Sequence, residues 1–140
     1  MVSVYLSAQY PRIHDMRHLA TDLRDRGAHV VSGWHELPYA PESVLRDHDR
    51  ARLATMDLDD IDRADVLVIF GDDSGEYRGS GGKFTELGYA LGIGLPVLWV
   101  GPREGVFAHA SGVTHCPDWP AALDLLAMWH VTNERQAVIV

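Results

Sequence analysis

The sequence predicts a single α/β domain built on a doubly wound, mostly parallel sheet of five strands. Asp65-Val66-Leu67-Val68-Ile69-Phe70 is an apolar run without alternation, the pattern of a strand covered on both faces. Short apolar strands alternate along the chain with segments of helical periodicity, the order that yields a parallel sheet with helices on both sides. The 140 residues suffice for one domain, 1–140, that buries about two-thirds of its unfolded surface without staples. No repeat, linker or low-complexity tract suggests a second one, and the expected architecture is of the Rossmann or flavodoxin-like kind.

Element by element, Val2 to Leu6 reads as the first strand. Ile13, Met16, Leu19, Ala20 and Leu23 then fall at helical spacing, so Ile13 to Arg26 is a helix stopped by Gly27. Ala28 to Trp34 reads as a second strand. From Pro41 to about Ala64 the chain is charged and mostly helical, with room for a break near Met56. Val44, Leu45, Ala51, Leu53, Ala54, Met56, Leu58 and Ile61 are available for its buried side. After the apolar strand comes a long Gly-rich loop, Gly71 to Lys83, and then a helix from Phe84 to Ile93 ended by Gly94. Pro96 to Val100 and Val113 to Cys116 are the last strands, and Trp119 to Trp129 is a final amphipathic helix.

The formal net charge of -8 disfavours a binder of nucleic-acid polymers, which needs a basic face to neutralise phosphates; a single nucleoside or nucleotide stays open as a ligand. No apolar run approaches the roughly 20 residues of a membrane span. The opening Met1 to Leu6 lacks a basic n-region, so no signal peptide is expected. Cys116 is the one cysteine, which excludes an internal disulfide framework and makes a cytoplasmic setting the expectation.

Several motif-like signals fail. Gly82-Lys83 looks like the end of a phosphate loop, but Tyr77 stands where the first glycine belongs and Phe84 replaces the magnesium-binding Ser or Thr. No G-x-G-x-x-G follows the first strand, which disfavours a dinucleotide site. His14 and His18 are one helical turn apart without a third ligand at a recognisable spacing, so no metal is expected. Cys116 reads as core, Trp119 and Trp129 as core or as part of a subunit contact, and the charged run Arg46 to Arg52 as a solvated helix face. Asp65 reads as a cap on the turn before its strand.

In doubly wound sheets ligands bind outside the carboxyl ends of the strands. Ser7-Ala8-Gln9-Tyr10, Gly33-Trp34-His35-Glu36 and Gly71 to Lys83 sit at those ends. Loops longer than about a dozen residues inside a compact domain are usually functional or disordered. This one runs directly into the helix that carries Glu86. A carboxylate in the first turn of a helix is favoured in its ionised form by the macrodipole, a condition that a carboxylate nucleophile needs. The alternative is an acid that complements the dipole and does nothing more. Gly88 and Gly92, one turn apart, are expected to let this helix approach the sheet closely. The carboxylates Asp57, Asp65, Asp72, Asp73 and Glu86 are the groups from which a site can be built.

Tyr5 in the first strand, Asp57 eight residues before Asp65, the strand Val66 to Phe70, and Thr85-Glu86-Leu87-Gly88-Tyr89-Ala90-Leu91 before Leu95-Pro96-Val97 resemble the nucleoside 2-deoxyribosyltransferase family. The related nucleoside 5′-monophosphate N-glycosidases share this layout. The resemblance covers Val2 to Val100, and Glu-Leu-Gly-Tyr-Ala with its upstream strand is its most specific piece.

The resemblance implies that Glu86 attacks the anomeric carbon of a deoxyribonucleoside, expels the base and holds the sugar as an ester until a second base or water takes it. It implies that Tyr5 orients Glu86, that Asp57 is the helix-borne acid near the site, and that Asp72 or Asp73 serves the base or a sugar hydroxyl. Gln9, Ser80 and Gly82 complete the expected substrate-binding set. Six residues before the nucleophile the nucleotide hydrolases carry a phosphate-binding serine, and here that residue is Ser80. In the first loop, where those hydrolases offer serine and arginine, this chain has Gln9 and Pro11, with Arg12 one step later. Phosphate recognition would then fall to Ser80, Lys83 and Arg78. No cofactor is implied. A homo-oligomer is, with Phe107 to His115 or Gln136 to Val140 near the contact, the latter by strand addition or by subunit packing. Three readings stay open: transfer of the sugar to another base, hydrolysis of a nucleoside monophosphate, and a catalytically silent nucleotide-binding or sensing domain.

Overall fold

A computed structural model describes the backbone of residues 1–73 and 81–139 and the side chains through residue 129. Five strands, β1 (Ser3–Ser7), β2 (His29–Val30), β3 (Val66–Phe70), β4 (Val97–Val100) and β5 (Val113–Cys116), form one sheet in the order β2-β1-β3-β4-β5. Every neighbouring pair is parallel. This is the flavodoxin-like order, in which the chain runs outward from β1 in one direction and from β3 in the other. The crossover helices are α1 (Ile13–Asp25), α2 (Asp47–Asp62) and α3 (Gly82–Gly92), and α4 (Trp119–Ile139) closes the chain. Because parallel crossovers are right-handed, reversing direction at β1 puts α1 on one face and α2 with α3 on the other. The Trp119 indole N–H donates to Asp22 at 3.0 Å and joins α4 to α1.

β3 is central and buried at every residue, as its unbroken apolar run demands. In α1, Ile13, Met16, Ala20 and Leu23 are the buried face, and Gly27 ends the segment with φ +90°, a conformation that a side chain would strain. Asp65 accepts the Ser3 backbone N–H at 2.8 Å, tying the start of β3 to β1. Cys116 is buried at the end of β5.

Four departures from the sequence reading have physical causes. β2 pairs through two residues instead of seven, because side chains take over from the ladder beyond Val31. Ser32 Oγ accepts the Leu6 N–H at 3.0 Å, and the Trp34 indole donates to the Leu6 carbonyl at 2.8 Å. α2 runs unbroken through Met56, after a 3-10 turn at Glu42–Val44. Of its expected apolar side, Ile61 alone is fully buried, while Val44, Ala51 and Ala54 are exposed. α3 starts at Gly82, two residues early, and Gly88 and Gly92 lie on its exposed side with no atom near the position of a Cβ. They do not serve close approach to the sheet. α4 continues as helix to Ile139, so the described part of the C-terminal segment adds no strand.

The close approach lies instead at Gly71. A Cβ there would stand 1.8 Å from the Pro102 carbonyl oxygen and 2.6 Å from the Trp99 indole nitrogen. Only glycine lets the chain leave β3 beneath the loop that follows β4.

Candidate active site

Tyr5 and Ser7 are two residues apart on β1 and therefore project from the same side of the sheet, toward the layer that holds α2 and α3. Glu86, on α3, meets both. The Tyr5 hydroxyl donates a short hydrogen bond to Oε2, and the Ser7 hydroxyl donates to Oε1 at 2.9 Å. Tyr5 and Ser7 are fully buried and Glu86 is 9% exposed. The site lies at the carboxyl end of β1, beside the β1/β3 reversal where open α/β sheets bind ligands.

Glu86 is the fifth residue of α3, past the first turn, so dipole complementation is not the main influence on it. Burial pushes its carboxyl up to about 8; the Tyr5 and Ser7 hydrogen bonds pull it down, and the negative charge of Asp57 pushes it further up. Desolvation outweighs the hydrogen bonds. Burial, followed by the charges of Glu86 and Asp57, also raises the Tyr5 phenol, which stays a donor at any physiological pH.

Asp57 comes from α2 and is half-buried. Burial first, then the charge of Asp60 one turn on, raises its carboxyl to about 7. Its Oδ1 is buried without a hydrogen-bond partner among the described residues. Asp60 itself accepts the Gly33 N–H at 3.0 Å and an ion pair from Arg63. The two carboxyls at the site thus hold protons near neutrality, a condition for acid–base work.

Beside this group lies a second, neutral cluster. Asp72, 5% exposed, takes Arg12 on Oδ1 at 2.8 Å and Lys83 on Oδ2 at 3.2 Å. The Lys83 side chain is fully buried and also donates to Glu104 at 2.6 Å and to the Phe70 carbonyl at 3.1 Å. Glu104 in turn accepts the Asp72 backbone N–H at 2.8 Å. Lys83 was a candidate for phosphate; its ammonium is instead spent inside the protein, on two carboxylates and a carbonyl.

Among the other expected substrate-binding residues, Asp72 has both carboxylate oxygens engaged by these cations. Asp73 is exposed, Gln9 is buried at the end of β1, and Gly82 opens α3 beside open space. Ser80 and Arg78 lie outside the described residues. Sequence reasoning missed Ser7, although its spacing of two from Tyr5 was a usable signal, and Asp60, whose spacing of three from Asp57 puts it on the same helix face. His14 and His18 are exposed, and no group of three metal-ligating side chains occurs among the described residues. Ser32, His35 and Glu36 mimic a nucleophile triad, with Oγ to Nε2 at 2.7 Å and Nδ1 to Oε1 at 3.3 Å. Ser32 and His35 are closed off from solvent and Ser32 already serves Leu6, so the arrangement is structural.

Solved structures share this architecture. A 2-deoxyribosyltransferase from Bacillus psychrosaccharolyticus superposes with a TM-score of 0.67 at 21% identity, over 86% of this chain and 89% of its own. A CMP N-glycosidase from Clostridium botulinum gives 0.58 at 15% identity, over 90% of this chain and 98% of its own. A conserved protein from Enterococcus faecalis gives 0.53 at 18% identity, over 78% and 70%. The chain has their fold. No protein-family model and no curated protein matches it. Among the described residues no helix is long and apolar enough to cross a membrane.

Proposed function

We propose that the protein cleaves the N-glycosidic bond of a (deoxy)nucleoside by double displacement, with Glu86 as nucleophile and transfer of the sugar to another base. The observation that carries this is the Glu86 carboxyl, buried at the sheet's ligand-binding end and held through both oxygens by Tyr5 and Ser7. A carboxylate so placed forms a C–O bond to the anomeric carbon as the C–N bond breaks and its electron pair leaves with the base, the logic of retaining glycosidases. Before it attacks, its negative charge also stabilises the developing oxocarbenium ion. Asp57, poised near neutrality, supplies the proton that the leaving base takes up. The incoming base then attacks the anomeric carbon through nitrogen, the C–O bond to Glu86 breaks and restores its carboxylate, and the N–H proton of the base passes to Asp57, which is reset. No metal or cofactor takes part in this scheme.

The charge balance favours a nucleoside over its monophosphate. Among the described residues, Arg12 and Lys83 are held in ion pairs with Asp72, and Glu86 and Asp57 bring no positive charge for a phosphate. The second reading is a nucleoside 5′-monophosphate N-glycosidase, favoured by the likeness to the CMP N-glycosidase; the third is a silent nucleotide-binding domain on the same fold.

Incubation with deoxyinosine, with and without adenine, separates them. Formation of deoxyadenosine is the expected result. Hypoxanthine release without acceptor, stronger from deoxyinosine monophosphate, would establish the hydrolase instead, and binding without turnover would leave the sensor. Glu86→Gln is expected to lose at least about a thousandfold in rate; retention of a tenth of the activity would sink the nucleophile assignment. We further propose a homo-oligomer with Phe107 to His115 at its contact, where Phe107 is 71% exposed and Val106 beside it 81%. Phe107→Asp should then lower the mass seen by sedimentation.

A further inference from the structure

A carboxylate held through one oxygen still turns about that bond, whereas one held through both has its plane fixed. Tyr5 provides the first hold on Glu86. Ser7 provides the second from two positions along the same strand, at 2.9 Å, with a side chain that is fully buried and makes no other side-chain hydrogen bond among the described residues. The two donors share one rigid, central strand paired to β3, so neither moves without the other.

We infer that Ser7 is a positioning residue for the nucleophile: its hydroxyl fixes the plane of the Glu86 carboxylate and stabilises the negative charge that attacks. The inference rests on the reading of Glu86 as nucleophile. In the same step Ser7 gives up no proton and forms no bond to substrate; it stays a donor while Glu86 passes from anion to ester and back. The groups that face Glu86 are Tyr5 and Ser7 from β1 and Asp57 from α2, with Asp60 behind Asp57. The cations Arg12 and Lys83 are turned to the Asp72 cluster. Loss of the Ser7 donor therefore leaves no described cation to compensate.

The test uses Ser7→Ala, with Ser7→Cys as a near-isosteric variant whose thiol is a weak donor, in case the alanine variant folds poorly. The first readout needs no turnover: carbon NMR titration of the Glu86 carboxyl, assigned by the resonance that disappears in Glu86→Gln. Ser7→Ala should raise the apparent pKa by about one unit and Ser7→Cys by less, as expected for a lost hydrogen bond to a charged group. An unchanged midpoint in folded Ser7→Ala or Ser7→Cys would overturn the inference. The second readout is the pH profile of base exchange. With the Glu86 pKa raised further above that of Asp57, kcat should fall about tenfold at pH 7 and much less at pH 9 as the alkaline limb moves to higher pH, with KM for the acceptor base little changed; an equal loss at both pH values counts against Ser7. Absence of turnover in the wild type would refute the function proposed for the site, while the titration would still decide whether Ser7 governs the carboxyl.

Discussion

Two clusters of charged side chains lie at the same end of the sheet, and they are balanced in opposite ways. Arg12, Asp72, Lys83 and Glu104 form a neutral quartet, two cations against two carboxylates, in which each carboxylate meets a cation within 3.2 Å. Around Tyr5, the charge of Asp57 raises the Glu86 carboxyl, that of Asp60 raises Asp57, and no described cation pairs with Glu86 or Asp57. Each cluster has a buried centre, Asp72 and Lys83 in one and Glu86 in the other, so desolvation acts on both. In the quartet, opposite charges offset it. In the carboxyl group hydrogen bonds offset it in part, and the remainder appears as raised proton affinity. The quartet fastens the end of β3, the start of α3 and the loop after β4 to one another. The carboxyl group stands on that frame and keeps the cost of its burial as reactivity.

If this contrast is right, substitutions should move stability in opposite directions. Lys83→Met, which keeps the stem and removes the ammonium, should destabilise the protein by about 3 kcal/mol in urea unfolding, because Asp72 and Glu104 lose their shared cation. The figure belongs at the lower end of the range for broken buried pairs because Arg12 still holds Asp72. A change below about 1 kcal/mol would mean that the quartet is not the frame.

Glu86→Gln should do the reverse. The folded-state pKa of Glu86 is raised from 4.5 to about 8, so its contribution to stability is complete below about pH 4.5 and is lost as pH rises through about 8. The glutamine variant escapes that loss. Its melting temperature should match the wild type near pH 5 and exceed it by several degrees at pH 8.5. A wild type that melts higher than the variant at pH 8.5 would contradict the unbalanced cluster.

The same pair sets the pH dependence of activity. Glu86 must be ionised and Asp57 protonated, the reverse of the order of their pKa values of about 8 and about 7, so the active form is a minority whose share rises up to about pH 7 and falls beyond about pH 8. The two interact, and the profile should be a narrow bell near pH 7 to 8 whose limbs belong to the pair. A flat profile from pH 6 to 9 would exclude this coupling.

Much of the frame was legible because it is written in continuous patterns. The apolar run of β3, the spacing of Ile13, Met16, Ala20 and Leu23, and the stops at Gly27 and Gly94 all express one local rule each. β2 was overextended because Ser32 and Trp34 satisfy Leu6 with side chains, and such bonds leave no periodic trace. The buried side of α2 was misjudged for a related reason. Its apolar residues scatter around the helix, and the buried pair Asp60 and Ile61 includes a carboxylate that caps Gly33 across space. Glu86 was found from its segment, but its ionisation was argued from the helix dipole, whereas burial under β1 is a tertiary effect and larger. Lys83 looked like a phosphate ligand because sequence does not reveal that Asp72 and Glu104, 11 and 21 residues away, converge on it.

Asp60 stands between the two regimes, since it has a cation, Arg63, yet lies one turn from Asp57 and raises its pKa. Asp60→Asn therefore offers the smallest and most specific test of the contrast. Burial is the larger cause of the Asp57 shift and stays in place, so removing the Asp60 charge should lower the Asp57 pKa by roughly half a unit; because this is the lower value of the pair, the acid limb of the activity profile moves down with it and the maximum rate falls. Asparagine still offers a carbonyl to the Gly33 N–H, which keeps the loop after β2 in position. The alkaline limb, which follows the higher pKa of Glu86, should move less, because Glu86 senses Asp57 directly and Asp60 only through it. Equal displacement of both limbs would mean that Asp60 acts by shifting α2 as a body. Displacement of the acid limb alone would mean that the Asp60 charge, rather than the packing of α2, tunes the acid.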